Sequence, residues 1–434
     1  MPLRIEDYAI IGDCKTAALI GKDGSLDWLC WPRFDSGACF AALLGSPDNG
    51  RWSIVCTSPD ARVTRCYRRD TLILETRFET ATGVATLTEF MPPRDKHSHV
   101  IRLVKAEQGS VSFKTELVIR FGYGEVVPWV TRTEHGGLRA IAGPDKLLLR
   151  SSVKLRGENF KTVGSFTVNE GETASFVLTY GPSHLHDPPP VEPSRLLQQT
   201  KKFWRDWTAC CNVTGPWTDT VKRSLITLKA LTYAETGGLV AAATTSLPER
   251  LGGERNWDYR FCWLRDATLT LLAFMNTGFH EEARAWRGWL LRAAAGMPRQ
   301  LQIMYGLGGE RRLTEYLVDW LPGYERSTPV RIGNAAHQQL QLDVYGELFD
   351  ALYQARKGGM APDEEDWALQ LAVLQDLEER WRGPDNGIWE IRGEPQKFTH
   401  SRAMIWAAFD RGARAVRDYG LPGDAQKWER LRDR

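Results

Sequence analysis

The fold is organised around residues 252–266, which read Gly252-Gly253-Glu254-Arg255-Asn256-Trp257-Asp258-Tyr259-Arg260-Phe261-Cys262-Trp263-Leu264-Arg265-Asp266. This segment holds three arginines, two tryptophans, a tyrosine, a phenylalanine and three carboxylates, and it continues directly into the apolar residues 267–275. Arg265 and Asp266 are therefore predicted to lie at a helix start, where free backbone N–H groups favour an anionic side chain. The segment marks the entrance to a helical region.

These residue types suit a neutral ligand that is rich in hydroxyl groups. Aromatic rings can cover the apolar faces of a sugar, while arginine and aspartate side chains hydrogen-bond to its hydroxyls. A sugar is therefore the first hypothesis for the ligand. The alternative is structural, because charged groups near an interior need either a partner or a function. In that interpretation the arginines and carboxylates form a network that only closes the start of a buried helix.

Length and charge narrow the class of protein. A chain of 434 residues is too long for one ordinary core, so two or three domains are expected. The 56 basic and 54 acidic residues are mixed along the chain, which argues against a nucleic-acid or membrane-surface partner. Glu6 and Asp7 interrupt the apolar run that a signal peptide needs, and no stretch reaches membrane-spanning length. We expect a cytoplasmic protein; the sequence does not predict its oligomeric state.

Cysteine and histidine spacing gives no metal or cofactor prediction. The eight cysteines include no C-x-x-C pair, so they are interpreted as reduced and mostly buried thiols. His97-x-His99 and His184-x-His186 have a spacing that metal ligands can use, but alternate histidines on a strand or loop are more often ordinary surface residues. We therefore predict no metal ion and no cofactor.

The hydrophobic period divides the chain into two parts. From about residue 65 to residue 180, apolar residues recur at every second position, and turn residues lie between the short apolar runs. This pattern predicts an antiparallel β-sandwich over residues 1–190. Pro188-Pro189-Pro190 marks its end, and residues 191–215 are predicted to form a linker helix. After residue 216 the period becomes helical, as in the stripe Trp367, Leu371, Leu374, Leu377 and Trp381.

Two long loops in the helical part carry residues suited to chemistry. In Gly387-Ile388-Trp389-Glu390, the ring of Trp389 could partly desolvate Glu390 and raise its pKa. A carboxyl group that stays protonated near neutrality can protonate a departing glycosidic oxygen, although most Trp-Glu pairs are ordinary surface residues. In residues 316–334, Trp320 offers an aromatic platform, Arg331 offers a cation, and Asn334 can cap the next helix or bind ligand.

Several segments together resemble one known family. They are Ile5-Glu6-Asp7-Tyr8-Ala9-Ile10-Ile11-Gly12-Asp13, Asp23-Gly24-Ser25-Leu26-Asp27-Trp28-Leu29-Cys30-Trp31-Pro32-Arg33-Phe34-Asp35, Asn256-Trp257-Asp258-Tyr259-Arg260 with Trp263-Leu264-Arg265-Asp266, Pro329-Val330-Arg331-Ile332-Gly333-Asn334, and Gly387-Ile388-Trp389-Glu390. In this order they resemble the bacterial glucoamylase/trehalase family, glycoside hydrolase family 15. The resemblance implies a β-sandwich followed by an (α/α)6 barrel, and inverting hydrolysis of α-glucosidic bonds without a redox cofactor.

The resemblance also implies roles for individual residues. Arg265 and Asp266 would bind hydroxyls of the terminal glucose, Trp263 would line its pocket, and Glu390 would be the general acid. Arg331 and Asn334 match the family's motifs more loosely. The expected activity is release of glucose from α-glucans, maltooligosaccharides or trehalose. An α-glucoside phosphorylase of similar architecture and a non-catalytic sugar-binding protein remain alternatives.

The chain departs from the family pattern in the number of barrel helices and in the general base. An (α/α)6 barrel needs twelve helices, and about seven are predicted over residues 216–434. Inversion also needs a second carboxylate, roughly 6.5–9.5 Å from the acid, to activate water. No residue of the chain matches the family's motif for that base. We therefore expect an incomplete barrel in a C-terminally truncated chain that is inactive by itself.

Overall fold

The N-terminal part is built entirely from antiparallel strand pairs, as the period of two predicts. The computed structural model describes residues 2–134, 136–360 and 364–434. The fifteen strands of this part are β1 Tyr8–Gly12, β2 Ala17–Gly21, β3 Ser25–Cys30, β4 Ala38–Phe40, β5 Arg51–Cys56, β6 Arg62–Tyr67, β7 Leu74–Thr80, β8 Gly83–Phe90, β9 Ser98–Val118, β10 Trp129–Arg132, β11 Leu138–Ala142, β12 Asp145–Ser151, β13 Arg156–Glu158, β14 Lys161–Asn169 and β15 Thr173–Pro182.

The long strand β9 joins the two layers of the sandwich. Its first half pairs with β8 and β15, and its second half pairs with β5 and β14. The main path through the strands runs β1-β2-β3-β5-β9-β15-β12-β11-β10. Side chains alternate across each strand, so the inner faces of both layers share one apolar core that includes Trp52, Phe113 and Phe176.

The rest of the chain is helical, with short strand pairs in its loops. The helices are α1 Phe121–Gly124, a single turn inside the sandwich, α2 Pro193–Thr208, α3 Thr218–Ala230, α4 Leu264–Asn276, α5 His280–Ala294, α6 Asp343–Lys357, α7 Glu364–Arg380, α8 Thr399–Tyr419 and α9 Ala425–Arg432. The loop strands are β16 Thr245–Pro248, β17 Asn256–Asp258, β18 Cys262–Trp263, β19 Met304–Tyr305, β20 Tyr316–Leu317 and β21 Arg331–Ile332.

Seven of these helices follow residue 215 in the part of the chain that the structure describes, which is the number that the sequence predicted. The fold is therefore an antiparallel sandwich followed by a helical array. Membership of the seven helices in a twelve-helix barrel stays a prediction. No helix within the described ranges combines the length and the apolar character that crossing a membrane requires.

Helix α2 lies between the two parts and covers residues 193–208 of the predicted linker 191–215. Its N-terminus is capped by Glu192, whose carboxylate accepts the backbone N–H groups of Ser194 and Arg195. Trp204 is fully buried in a cluster that includes Leu72 of the sandwich and Ile226 of α3. The apolar face of α2 therefore packs against both parts, and it fixes the sandwich beside the start of the helical array.

Candidate active site

The start of α4 lies where the sequence placed it. Trp263 precedes the helix with an extended backbone, and Arg265 and Asp266 occupy its first turn. The two-residue strand β18 pairs with Met304 and Tyr305 of β19, which fixes the backbone of Trp263. The Trp263 side chain is almost fully buried. Its position is therefore set by packing before any ligand is considered.

The loop that carries Glu390 has an unusual backbone. Gly387 has φ +63°, and a Cβ atom there would lie 2.4 Å from the ring of Phe398. Glu390 itself has φ +51°, in the left-handed region that few residues other than glycine adopt. Such strain persists only where the surrounding structure holds it, and it is concentrated at functional sites. Here Gln339 supports the loop by donating its side-chain N–H to the carbonyl of Ile391, at 3.0 Å.

These two elements bring the predicted acid and its neighbours together. The indole N–H of Trp263 donates to Glu390 Oε1 at 2.7 Å, and the guanidinium of Arg265 lies 3.5 Å from the same oxygen. Burial raises the pKa of Glu390 above its ordinary value, while the Trp263 hydrogen bond and the Arg265 charge oppose the rise. The Glu390 and Arg265 side chains are each 16% exposed, so both groups remain accessible to solvent.

The expected role of Trp389 is wrong. Its ring is 72% exposed, so it does not desolvate the neighbouring Glu390. The left-handed backbone at Glu390 turns the carboxyl group inward, toward Trp263, while the preceding side chain points to solvent. The indole beside the carboxyl group therefore belongs to a residue that is distant in sequence.

Arg265 is held by groups from α6 and the segment before it. Its guanidinium donates to Asp343 Oδ2 and to Gln341 Oε1, both at 3.1 Å. The Asp343 side chain is fully buried, so this ion pair orients Arg265 from behind. Asp266 lies in the same helical turn and is partly open to solvent. Desolvation by the surrounding protein raises the pKa of its carboxyl group, and the charge of Arg265 opposes that rise.

Three residues of this cluster were missed from the sequence. Asp343 and Glu347 lie one turn apart on α6, and His400 begins α8 with its ring nitrogens 3.8 Å from Asp343 Oδ2 and 3.9 Å from Glu347 Oε1. Burial and the Asp343 charge raise the pKa of Glu347 to about 7. The i, i+4 spacing of two carboxylates in the first two turns of α6 was the available signal.

The interpretation in which charged side chains only form a structural network holds for Asp258 and Arg260. Arg260 and Asp258 form a fully buried ion pair with a 2.7 Å contact. Arg260 also donates to the carbonyl of Ser36 at 2.9 Å, and the N–H of Gly333 donates to Asp258 at 3.0 Å. This pair joins the helical part to the sandwich, and its hydrogen-bonding groups are taken up by protein.

The residues of the 316–334 loop lie outside the Trp263–Glu390 contacts. Trp320 donates its indole N–H to the carbonyl of Tyr123 in the sandwich. Arg331 lies over the ring of Trp257, 4.4 Å from its centroid. The side chain of Asn334 accepts the N–H of Ala336, so the predicted capping is confirmed, although the capped element is a short 3-10 helix. Ligand binding by Trp320, Arg331 and Asn334 stays a prediction.

His97 and His99 make structural contacts, whereas His184 and His186 are exposed. His99 is buried and its ring nitrogen lies 2.9 Å from the hydroxyl of Thr179; burial lowers the pKa of His99 to about 4. Over residues 2–134, 136–360 and 364–434, no group of three or more His, Cys, Asp or Glu side chains is arranged to hold a metal ion.

Comparison with known proteins matches both parts of the chain. The model of the family "Glycosyl hydrolases family 15" matches residues 215–434, and that of "Trehalase-like, N-terminal" matches residues 1–204. A trehalase of Mycobacterium tuberculosis is 34% identical over 99% of this chain and 67% of its own length. A trehalase of Thermoplasma volcanium is 31% identical over 99% of this chain and 70% of its own length.

A solved structure supports the fold. A bacterial glucoamylase complexed with acarbose superposes with a TM-score of 0.67 over 99% of this chain and 66% of that protein, at 12% sequence identity. At this identity the likeness concerns the fold alone. The chain thus spans about two thirds of the length of the proteins it matches.

Proposed function

This chain belongs to the glycosyl hydrolases family 15, and from that premise we propose that it hydrolyses terminal α-glucosidic bonds, with trehalose as the first substrate. The choice of trehalose is supported by the trehalases that are 31–34% identical to it. α-Glucans and maltooligosaccharides are the second candidates, because they carry the same terminal α-glucose.

The observation that carries the proposal is the contact between Trp263 and Glu390. A carboxyl group that is mostly buried, hydrogen-bonded to an indole N–H at 2.7 Å and close to one guanidinium has a fixed orientation. Burial raises the pKa of Glu390, so the group keeps its proton to a higher pH than an exposed glutamate. That combination suits a general acid that protonates the departing glycosidic oxygen.

The neighbouring residues take the other roles in this mechanism. Arg265 donates to hydroxyls of the terminal glucose and is held in place by Asp343. Asp266, exposed in the first turn of α4, accepts from hydroxyls of the same ring. Inversion also requires a carboxylate that activates water on the opposite face of the sugar. We assign no base, because no residue of the chain matches the family's base motif.

The direct test is to follow trehalose and maltose by proton NMR, which separates the two anomers of glucose, with the purified protein in its natural full length. The proposal expects β-glucose as the first product from an α-linked substrate, because inversion changes the configuration at the anomeric carbon. Release of glucose 1-phosphate only when phosphate is present would identify a phosphorylase instead. Saturable sugar binding without any turnover would identify a sugar-binding protein.

A further inference from the structure

A second group of aromatic residues lies on the sandwich, away from the contacts of Glu390. Trp129 and Phe160 are 77% and 83% exposed, the two largest values among the exposed large hydrophobic side chains of the described residues. Both line one groove of about 680 Å³, whose apolar lining includes Leu117 and Ile119. A cavity of this size is within the range of pockets that hold small ligands.

The groove lies between two sheet edges. Trp129 begins β10, which ends the main strand path, and Phe160 is in the turn between β13 and β14. The two rings therefore come from opposite sides of an opening in the sandwich. Trp129 lies on a strand and Phe160 in a two-residue turn between paired strands, so the fold sets the spacing between the two rings.

The backbone at Phe160 is strained. Glu158 pairs with Lys161, so Asn159 and Phe160 form a two-residue hairpin turn with φ +49° and +58°. Turns with positive φ at both central positions favour Asn-Gly, because glycine adopts this conformation without steric cost. Phe160 is 83% exposed and gains almost no burial that would offset the strain. A bulky ring at this position therefore points to a role outside folding.

Two of the three charged side chains that line the groove form ion pairs, and the third donates to a backbone carbonyl. Lys161 lies 3.1 Å from Asp48, and Glu158 lies 3.1 Å from Arg156. Arg132 donates to the carbonyl of Leu155 at 2.9 Å. Beside these engaged side chains, the groove offers aromatic faces, hydroxyls and an exposed amide at Asn159, which complement a neutral polyhydroxyl ligand.

We propose that this groove is a second carbohydrate site, in which Trp129 and Phe160 hold a neutral α-glucan by stacking on its sugar faces. The choice of an α-glucan among neutral glycans rests on the second candidate substrate of the proposed function, since this polymer carries the terminal α-glucose that the candidate active site would take. The groove holds the glucan and takes no part in bond cleavage.

The test is the binding of maltoheptaose, measured by calorimetry on the full chain carrying Asp266→Ala to weaken binding at the candidate active site. Trp129→Ala is expected to raise the Kd for maltoheptaose by roughly tenfold, because one of two stacking surfaces is lost. Phe160→Gly is expected to raise the Kd similarly and to leave Tm unchanged or higher, because it also relieves the strained turn. Trp217→Ala, at another tryptophan that is 73% exposed, is the matched control and should leave the Kd unchanged.

Three outcomes would overturn the proposal. They are no measurable maltoheptaose binding, binding that neither groove variant weakens, and a concentration-dependent dimer that Trp129→Ala dissociates, which would make the groove an interface between two copies. Hydrolysis is measured separately, so the two proposals can fail independently. A protein that binds maltoheptaose through Trp129 but cleaves no α-glucoside keeps this site and loses the catalytic proposal.

Discussion

The two ion pairs of the central segment differ in what surrounds them. Asp258 and Arg260 are fully buried and hydrogen-bond to protein groups, whereas the Arg265 and Glu390 side chains are each 16% exposed and remain accessible to solvent. The first pair joins two parts of the fold. The second leaves hydrogen-bonding capacity for a substrate and contains a carboxyl group with a raised pKa. The enclosed pair thus suits a structural role, whereas the partly open pair suits the chemistry proposed for it.

The largest expected effect breaks the enclosed pair. Arg260→Ala should lower the free energy of unfolding by about 3–5 kcal/mol, because Asp258 would keep a buried and unpaired charge. Urea unfolding measures this change. Arg255→Ala in the same segment is the control, since the Arg255–Glu249 pair is largely exposed and its loss should cost less than about 1 kcal/mol. Equal effects of the two substitutions would remove the distinction between enclosed and open pairs.

A smaller effect is expected at the open pair. Asp266→Ala should weaken glucose-type ligands by about 10–100-fold, the loss expected when a charged hydrogen-bonding group is removed. It should change Tm little, because the Asp266 side chain is exposed. Calorimetry with trehalose measures the affinity, and Asp319→Ala, at an exposed aspartate of another loop, is the control. Unchanged affinity in Asp266→Ala would return this residue to a purely structural role.

The smallest effect concerns Glu347, behind the open pair. The folded protein holds the Glu347 proton up to pH about 7, while an unfolded chain releases it near the ordinary value of 4.5. The folded state therefore binds more protons between these values, and this contribution to stability is lost as pH rises through them. Glu347→Gln should reduce the fall in Tm from pH 5 to pH 8 by about 2–4 °C. The exposed Glu394→Gln variant should keep the full fall in Tm. An identical pH dependence of Tm in both variants would contradict the raised pKa of Glu347.

Much of the fold could be predicted because the spacing of apolar residues within a strand or a helix can be recognised in a short segment of sequence. Alternation gave the antiparallel strands before residue 190, and helical stripes gave the seven helices after residue 215. The Glu390 motif and the start of α4 were also found from short segments. The resemblance implied that Trp263 and Arg265 belong to the same pocket, and the structure brings both to Glu390.

The remaining site residues depend on tertiary structure. Asp343 and Glu347 are ordinary helix residues until α6 packs beside α4, and His400 joins them only through the position of α8. The side-chain direction of Trp389 was missed for a related reason, because the left-handed backbone of Glu390 separates two neighbours in sequence. The spacing of residue types along the sequence does not indicate the left-handed backbone at Glu390.

The role of Glu390 is tested most directly by comparing two substrates whose leaving groups differ in their need for a proton. In Glu390→Gln of the protein in its natural full length, kcat on trehalose should fall by about two to four orders of magnitude, the usual contribution of general acid catalysis. With α-glucosyl fluoride, whose fluoride leaves without strong acid assistance, kcat should fall by less than about tenfold. Equal losses on the two substrates, or an undiminished rate on trehalose, would contradict the assignment of Glu390 as the proton donor.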